Sequence, residues 1–449
     1  MGNIENKLLL YYIQMKFLEN YFGIAKNDST IYRELVAGVT TFFAMSYILF
    51  VNPTILAEAG MDKSAQFTAT ALAAIFGTFV MGVYAKLPFA LAPGMGLNTF
   101  FAYTMCLSLG HSWSFALGAV FVEGIIFFIL SIFDLRRLVV GLIPKSLQLA
   151  FCPGIGLFIA SLGLQQARII EMHENSIRFG NITDPNVLLA CLGILVIGVF
   201  YVKKIYVGMV IGIILITIIS LSFGLTQIDS FFSMPPSVSG IIFAFDFSEI
   251  LSYDFICLVF LLLSVDIFDT MGTLLGVSNA TEGMVDENGS PKNIKKAFVA
   301  DSLATVFGAI AGTSTTTTYI ESSTGVSVGG RTGITSIITA LCFVVALFSF
   351  PMLLAVPPAA VSAMLIFAGY NMFMSQSFKN MDFKDYSESV PAFITMIVMP
   401  FSHSIVEGVS FGVLSYVLIN SISRNMKKIS LGTYFIAAFF AARYVILPT

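Results

Sequence analysis

Charge is scarce in this sequence. Of 449 residues only 11% are Asp, Glu, Lys or Arg, against about 25% in soluble domains. With a mean hydropathy of +0.89, that scarcity excludes a soluble globular domain and implies an integral membrane protein. The formal net charge of -3 supplies no basic face for nucleic acid, so no nucleic-acid partner is expected. Cysteines are few: Cys106, Cys152, Cys191, Cys257 and Cys342 all lie in apolar runs without ligand spacing. A disulfide framework and a thiolate metal site are thereby excluded, and the five read as small buried hydrophobes. His111, His173 and His403 fall at segment ends or in an outer loop, so neither a metal nor a cofactor is expected. No short apolar stretch ending in a cleavage site opens the chain, and no signal peptide is expected. No nucleotide loop, His cluster or nucleophile–base pair occurs, which argues against a primary pump and against a membrane enzyme.

What the chain has instead is hydrocarbon in runs of helical rather than barrel-strand length. Fourteen apolar segments can be bracketed. Residues 1–31 read as a cytoplasmic lead-in, with an interfacial amphipathic helix over Leu8 to Phe22. Residues 32–223 hold the first seven segments, 224–252 an extracytoplasmic connection, and 253–422 the second seven. The tail, 423–449, contains an apolar stretch over 431–447 that carries Arg443 and either spans or lies in the interface. With the N-terminus inside, every Lys and Arg before that stretch falls on the cytoplasmic side except Lys63, Arg168 and Arg178. Dropping either of the two weakest segments would invert every loop beyond it.

Those two weak segments are the third, Leu87–Leu107, and the tenth, Thr313–Val328, each the third of its seven. Matching interruptions in two halves point to an inverted-repeat transporter with its site between them. Placement alone carries the repeat, since the halves share no convincing residue-level similarity. Pro93, Gly94, Gly96 and Asn98 interrupt the third segment: glycine admits close backbone approach, proline blocks helix continuation, and the amide both donates and accepts. A plain kinked helix is the alternative. The tenth segment is a run of hydroxyls, Thr313 to Thr318, followed by Tyr319, Ile320, Glu321 and Ser322. Broken backbone at membrane depth must be buried in protein or line a cavity.

In the eighth segment, Asp266 and Asp269 are three apart and share a helix face. Intramembrane acids are costly and usually mark a transport or proton site. Glu123, Asp301 and Glu407 each stand alone in an apolar run and read as structural. Phe89 or Phe268 could stack on a planar ligand. Carboxylates, an amide, hydroxyls and free backbone groups with no basic residue nearby disfavour an anion and suit a small neutral molecule rich in N–H donors. Loss of water favours the neutral form of a carboxyl, so such a site can take up a proton.

The stretches Glu34-Leu-Val-Ala-Gly-Val-Thr-Thr-Phe, Ala92-Pro-Gly-Met-Gly-Leu-Asn98, Asp266-Ile-Phe-Asp-Thr-Met-Gly-Thr-Leu and Thr318-Tyr-Ile-Glu-Ser-Ser-Thr-Gly-Val resemble the AzgA-like purine permeases. These are the adenine, guanine and hypoxanthine branch of the nucleobase:cation symporters, similar in fold to uracil and xanthine permeases. The resemblance covers about Arg33 to Ser423. It implies an all-α polytopic membrane protein: fourteen segments in two inverted repeats of seven, split into core and gate domains, with short strands in the broken third and tenth segments. It assigns base binding to Asp266 and Glu321, with Gly96 and Asn98 from the third segment and Asp269 as second acid. Thr318, Ser322 and Phe268, which stand beside these positions in the sequence, are added as candidate base contacts. Proton coupling would fall to Glu321, Asp266 or Asp269. The motif departs in its Thr316–Thr318 run and in Ser323-Thr324, and neither departure removes a ligand. The expected partners are therefore a purine, protons and the lipid bilayer, in a bacterial plasma (inner) membrane; dimerisation through the gate domain is left open. A sulfate-permease-like anion carrier of the same general fold is the rival, but it would want a positive charge where this chain has Glu321.

Overall fold

Helix starts are marked by side chains that accept the free N–H groups of the first turn. In the computed structural model of the chain, which describes residues 19, 21–133, 143–173, 176–203, 205, 208–227, 230, 232–279, 284, 292–354 and 356–446, Thr30 caps α1 (Ile31–Met45). A turn at Ser46-Tyr47 leads into α2 (Ile48–Glu58). There the backbone bonds tighten to three-residue spacing at Leu49 and Phe50. Asp62 caps α3 (Lys63–Val80), accepting from Ser64 N at 2.7 Å. A wide π turn, Met81–Ala85, ends that helix.

The third segment is then strand β1 (Leu91–Pro93), a one-turn helix α4 (Met95–Thr99) and a π-helical run, Phe100–Ser108. Ser112 caps α5 (Trp113–Ile132). The first half continues with α6 (Lys145–Gln166), α7 (Pro185–Val202) and α8 (Gly208–Ser222). Between α6 and α7, where a plain outer loop was expected, β2 (Ile170–His173) and β3 (Ser176–Phe179) form an antiparallel hairpin. Its alternating Ile170/Met172 and Ile177/Phe179 pattern suits a strand pair.

The second half opens with α9 (Tyr253–Asn279) and α10 (Ile294–Ala311). Strand β4 (Thr316–Thr318) and the short α11 (Ser322–Ser327) make up the tenth segment. Next come α12 (Gly333–Ala346) and α13 (Phe350–Leu354), then α14 (Pro358–Phe373) and α15 (Gln376–Lys379). The apolar run over Ile334–Leu354 is thus broken in two, with Pro351 in the first turn of the new helix, where its missing N–H costs nothing. Helices α16 (Tyr386–Ser402), α17 (Ile405–Ile422) and α18 (Leu431–Ile446) complete the chain. The tail is therefore helical, and the interfacial helix expected over Leu8 to Phe22 falls almost wholly outside the described residues.

Seven of the described helical stretches are long and apolar enough to cross a membrane. Outward-facing side chains such as Leu195, Val199, Ile214, Ile218 and Leu418 are apolar and exposed, as a lipid-facing surface requires. The protein is a helical polytopic membrane protein. Its helices sort into two packed groups, and each group draws on both halves. In the first, α10 lies on α5 and α3, α12 on α1, and α9 on α5. In the second, α6 packs along α14 and α16, α16 along α17, and α7 along α14. Small residues let α6 and α14 touch backbone to backbone: a Cβ on Gly156 would sit 2.6 Å from the Gly369 carbonyl oxygen.

Candidate functional site

The two interrupted segments meet. β1 pairs antiparallel with β4 in the register Leu91↔Thr318, Ala92↔Thr317 and Pro93↔Thr316. The ladder extends at both ends, through Gly94 N to Thr315 O and Tyr319 N to Ala90 O, each 2.9 Å. A two-stranded sheet has two free edges, which lipid could not satisfy. Here threonines and serines of neighbouring elements serve them. Thr78 Oγ1 bonds both the Leu91 N–H and its carbonyl at 2.9 Å, Ser322 Oγ accepts from Ala90 N at 3.0 Å, and Thr305 Oγ1 donates to Thr316 O at 2.9 Å. Gln66 donates to Gly312 O at 2.6 Å, and Asn52 Nδ2 to Thr313 Oγ1 at 2.9 Å. The hydroxyl run is therefore a scaffold as well as a lining.

A cavity of about 60 Å³ opens beside this pair, between the first helix group and α14 of the second. Since roughly 10–15 Å³ suffices for one water centre, it holds a small polar molecule's worth of space. Its acids are Asp269 from α9 and Glu321 from the turn before α11, and among the described residues no Lys or Arg lines it. Tyr47, in the α1–α2 turn, donates to Glu321 Oε1 at 2.6 Å, which leaves Oε2 for a ligand. Thr317, Thr318 and Tyr319 supply the strand side, and Gly94 and Gly96 the facing side. A Cβ on Gly96 would come within 2.8 Å of Ile155 Cγ2 and 3.3 Å of Met372 Cε, so glycine keeps both helix groups close there. Asn371 and Met372 enter from α14; Asn371 Nδ2 is engaged by Tyr201 Oη at 2.5 Å. A smaller recess of about 20 Å³ shares Gly96, Asp269 and Met372 and is walled by Phe268 and Phe151.

Of the residues singled out from sequence, Glu321, Asp269, Gly96 and Thr318 line the cavity, and Phe268 lines the recess beside it. Asp266, Asn98 and Ser322 do not. Asn98 is fully buried; it accepts from Ser314 Oγ and donates to Pro93 O, bracing the third segment against the tenth. Ser322 is spent on the strand edge. Asp266, expected to face the ligand together with Asp269, sits one step round the helix, fully buried behind β4. Thr305 Oγ1 is 3.5 Å from its Oδ2, and its Oδ1 has no partner. Positions three apart differ by about 60° around a helix axis, and here Asp266 turns toward Thr305 while Asp269 turns into the cavity.

Two further expectations change. Glu123 and Asp301 are not solitary: both are fully buried and face Asp266. Asp301 accepts from Thr270 Oγ1 at 2.7 Å and Thr318 Oγ1 at 2.8 Å. Glu407, by contrast, accepts from Tyr444 near the tail, far from the cavity lining. Sequence reading missed Tyr47, Asn371 and Tyr319; the first two sit in apolar runs with no local polar pattern.

The Permease family model of xanthine–uracil type matches residues 32–411. The chain belongs to the Permease family. Among its relatives, this permease is 38% identical to the adenine permease AdeQ of Escherichia coli over 431 residues, 96% of each chain. It is also 38% identical to the guanine/hypoxanthine permease PbuO of Bacillus subtilis over 417 residues, 91% of this chain and 96% of the relative. In fold it is similar to the transmembrane domain of the cyanobacterial bicarbonate transporter BicA, with a TM-score of 0.62, 16% identity, and coverage of 84% of this chain and 96% of that one.

Proposed function

We propose that this permease imports a purine base, adenine or guanine/hypoxanthine, across a bacterial plasma membrane together with a proton. The observation that carries the reading is the cavity: two carboxyls, Asp269 and Glu321, in one pocket with no basic side chain, between two helix groups. A purine presents several N–H donors on a flat ring. Asp269 and the free oxygen of Glu321 accept them, the Thr317, Thr318, Gly94 and Gly96 lining of the cavity meets the ring nitrogens, and Tyr47, Tyr319 or Phe268 covers a face. Relatives named as adenine and guanine/hypoxanthine permeases support the same class of ligand.

Transport follows from the division into two groups. Motion of the first group, the core, against the second, the gate, would expose the cavity to one side and then the other. In this reading the fourteen segments form two inverted repeats, the N-terminus is cytoplasmic, and the gate helices provide the surface for any homodimer. The likeness to BicA raises an anion carrier as the alternative, but the acid lining opposes an anion.

Radiolabelled uptake in a purine-transport-deficient bacterial strain tests this. Protonophore-sensitive uptake of adenine, guanine or hypoxanthine is the expected result. Uptake of xanthine or uracil alone, or of none of the five bases, would overturn it.

A further inference from the structure

Behind the strand pair, on the side away from the cavity, three carboxyls converge from three helices: Glu123 of α5, Asp266 of α9 and Asp301 of α10. All three have no exposed surface. Glu123 lies within interaction distance of Asp266 and Thr315, yet among the described residues neither of its oxygens has a partner at full hydrogen-bond geometry. Asp266 Oδ1 and Thr315 Oγ1 are likewise unpartnered and fully buried. Among the described residues, the ionisable groups that face the three are one another and Asp269. Of the other elements packed on them, α3 carries only Lys63, at its far start beside Glu58. The π turn carries Tyr84, followed by Lys86, which is engaged with the Tyr21 carbonyl. β1 and β4 carry no ionisable side chain.

Three buried carboxylates without a counter-charge, two of them (Glu123 and Asp266) with unsatisfied oxygens, are not a stable ionic arrangement. A single metal ion would offset only part of that charge, whereas protons can occupy each carboxyl. Nor is the cluster sealed from the cavity. Thr317 and Thr318, which line it, lead back to the acids: Thr318 Oγ1 donates to Asp301, and Thr317 Oγ1 shares a 2.8 Å bond with Thr270 Oγ1, which donates to Asp301. β4 itself is the partition, with substrate contacts on one side and acids on the other.

We propose that Glu123, Asp266 and Asp301 form a proton-holding site distinct from the substrate cavity, linked to it through the hydroxyls of Thr270, Thr317 and Thr318. Resting on the reading of this protein as a purine permease, this separates the coupling proton from the groups that grip the base. A proton enters on one carboxylate of the cluster and leaves from it; no bond other than O–H is made or broken. The strand that carries Thr317 and Thr318 lines the cavity on one hand and is bonded to Asp301 on the other, which is how occupancy at one is felt at the other.

The test uses purified protein in phosphatidylethanolamine–phosphatidylglycerol vesicles, with radiolabelled adenine or hypoxanthine, whichever the wild type takes up. Two rates are compared: exchange of internal for external base with no gradient, and accumulation driven by an imposed pH gradient. Glu123→Gln is expected to keep exchange within about threefold of wild type and to lose at least tenfold of the accumulation. Thr270→Val, which leaves all three acids in place, is expected to show the same split with a smaller loss. Accumulation at the wild-type level in both variants would overturn the proposal. So would accumulation by wild type under a sodium gradient alone. Loss of exchange and accumulation together in Glu123→Gln, with Thr270→Val unchanged, would show the cluster to be only structural. If wild type exchanges no purine at all, the functional reading itself falls, and this assignment with it.

Discussion

Asp266 and Asp269 lie three positions apart, and that short interval divides two chemistries. Asp269 keeps some accessible surface in the cavity, while Asp266 keeps none. Sequence spacing shows that the two share one broad helix face; it does not show where β4 will run between them, because that strand arrives from 50 residues further on. Glu321 was legible for the opposite reason: it ends a hydroxyl run that has no other business in hydrocarbon. Tyr47 was not legible, since nothing in Met-Ser-Tyr-Ile-Leu marks it as polar machinery. Its single bond to Glu321 yields a clean expectation. Tyr47→Phe removes about 1 kcal/mol of orientation, so base affinity should fall roughly fivefold with little change in folded yield. Equilibrium binding to detergent-purified protein reads this directly, and unchanged affinity would remove Tyr47 from the site.

At the scale of elements, the informative acid is Glu34. Although buried in the first helix, it is satisfied throughout: Oε1 accepts from Arg331 N at 3.0 Å, and Oε2 from Thr332 N at 3.3 Å, Thr335 N at 3.2 Å and Thr335 Oγ1 at 2.5 Å. It thus caps the start of α12 from another helix, a negative group at the positive end of a dipole. That contact ties the first segment to the eleventh. Glu34→Ala should cost about 2–4 kcal/mol, since several charged hydrogen bonds are lost and their donors stay buried. A lowered unfolding temperature, with affinity retained in the folded fraction, is the expected outcome; Glu34→Gln should recover part of the loss. Contrast with Glu123, equally buried but without partners, shows why burial alone does not assign a role. The breaks at Pro93-Gly94 and in the Thr run were readable from composition, the short strands within them were implied by the family resemblance, and the pairing of the two strands is seen only in the structure. The β2–β3 hairpin was missed because it lies in a loop where only the positions of basic residues were weighed.

For the whole molecule, the apolar runs and the placement of lysines announced a polytopic membrane protein. What they could not announce is the partition into two groups that each mix both halves. Packing decides this: α14 of the second half lies along α6 of the first through the Gly156–Gly369 contact, a fit that no local pattern predicts. The cavity sits where the two groups face each other, so binding should stiffen that seam selectively. Hydrogen exchange is expected to slow on base binding over residues 90–98, 315–321 and 366–373, and to stay constant along α17. Uniform slowing would argue against two bodies moving about a shared cavity.

The division of labour between the two acids of α9 is most directly decided by equilibrium binding of radiolabelled adenine or hypoxanthine to purified wild type, Asp269→Asn, Glu321→Gln and Asp266→Asn. Losses of roughly tenfold or more are expected for the first two variants, as for buried charged hydrogen bonds of about 1.5–3 kcal/mol. Asp266→Asn should bind within about threefold of wild type, because its amide replaces a carboxyl that lies behind β4. Loss of binding in Asp266→Asn with retention in Asp269→Asn would contradict this division between the two acids.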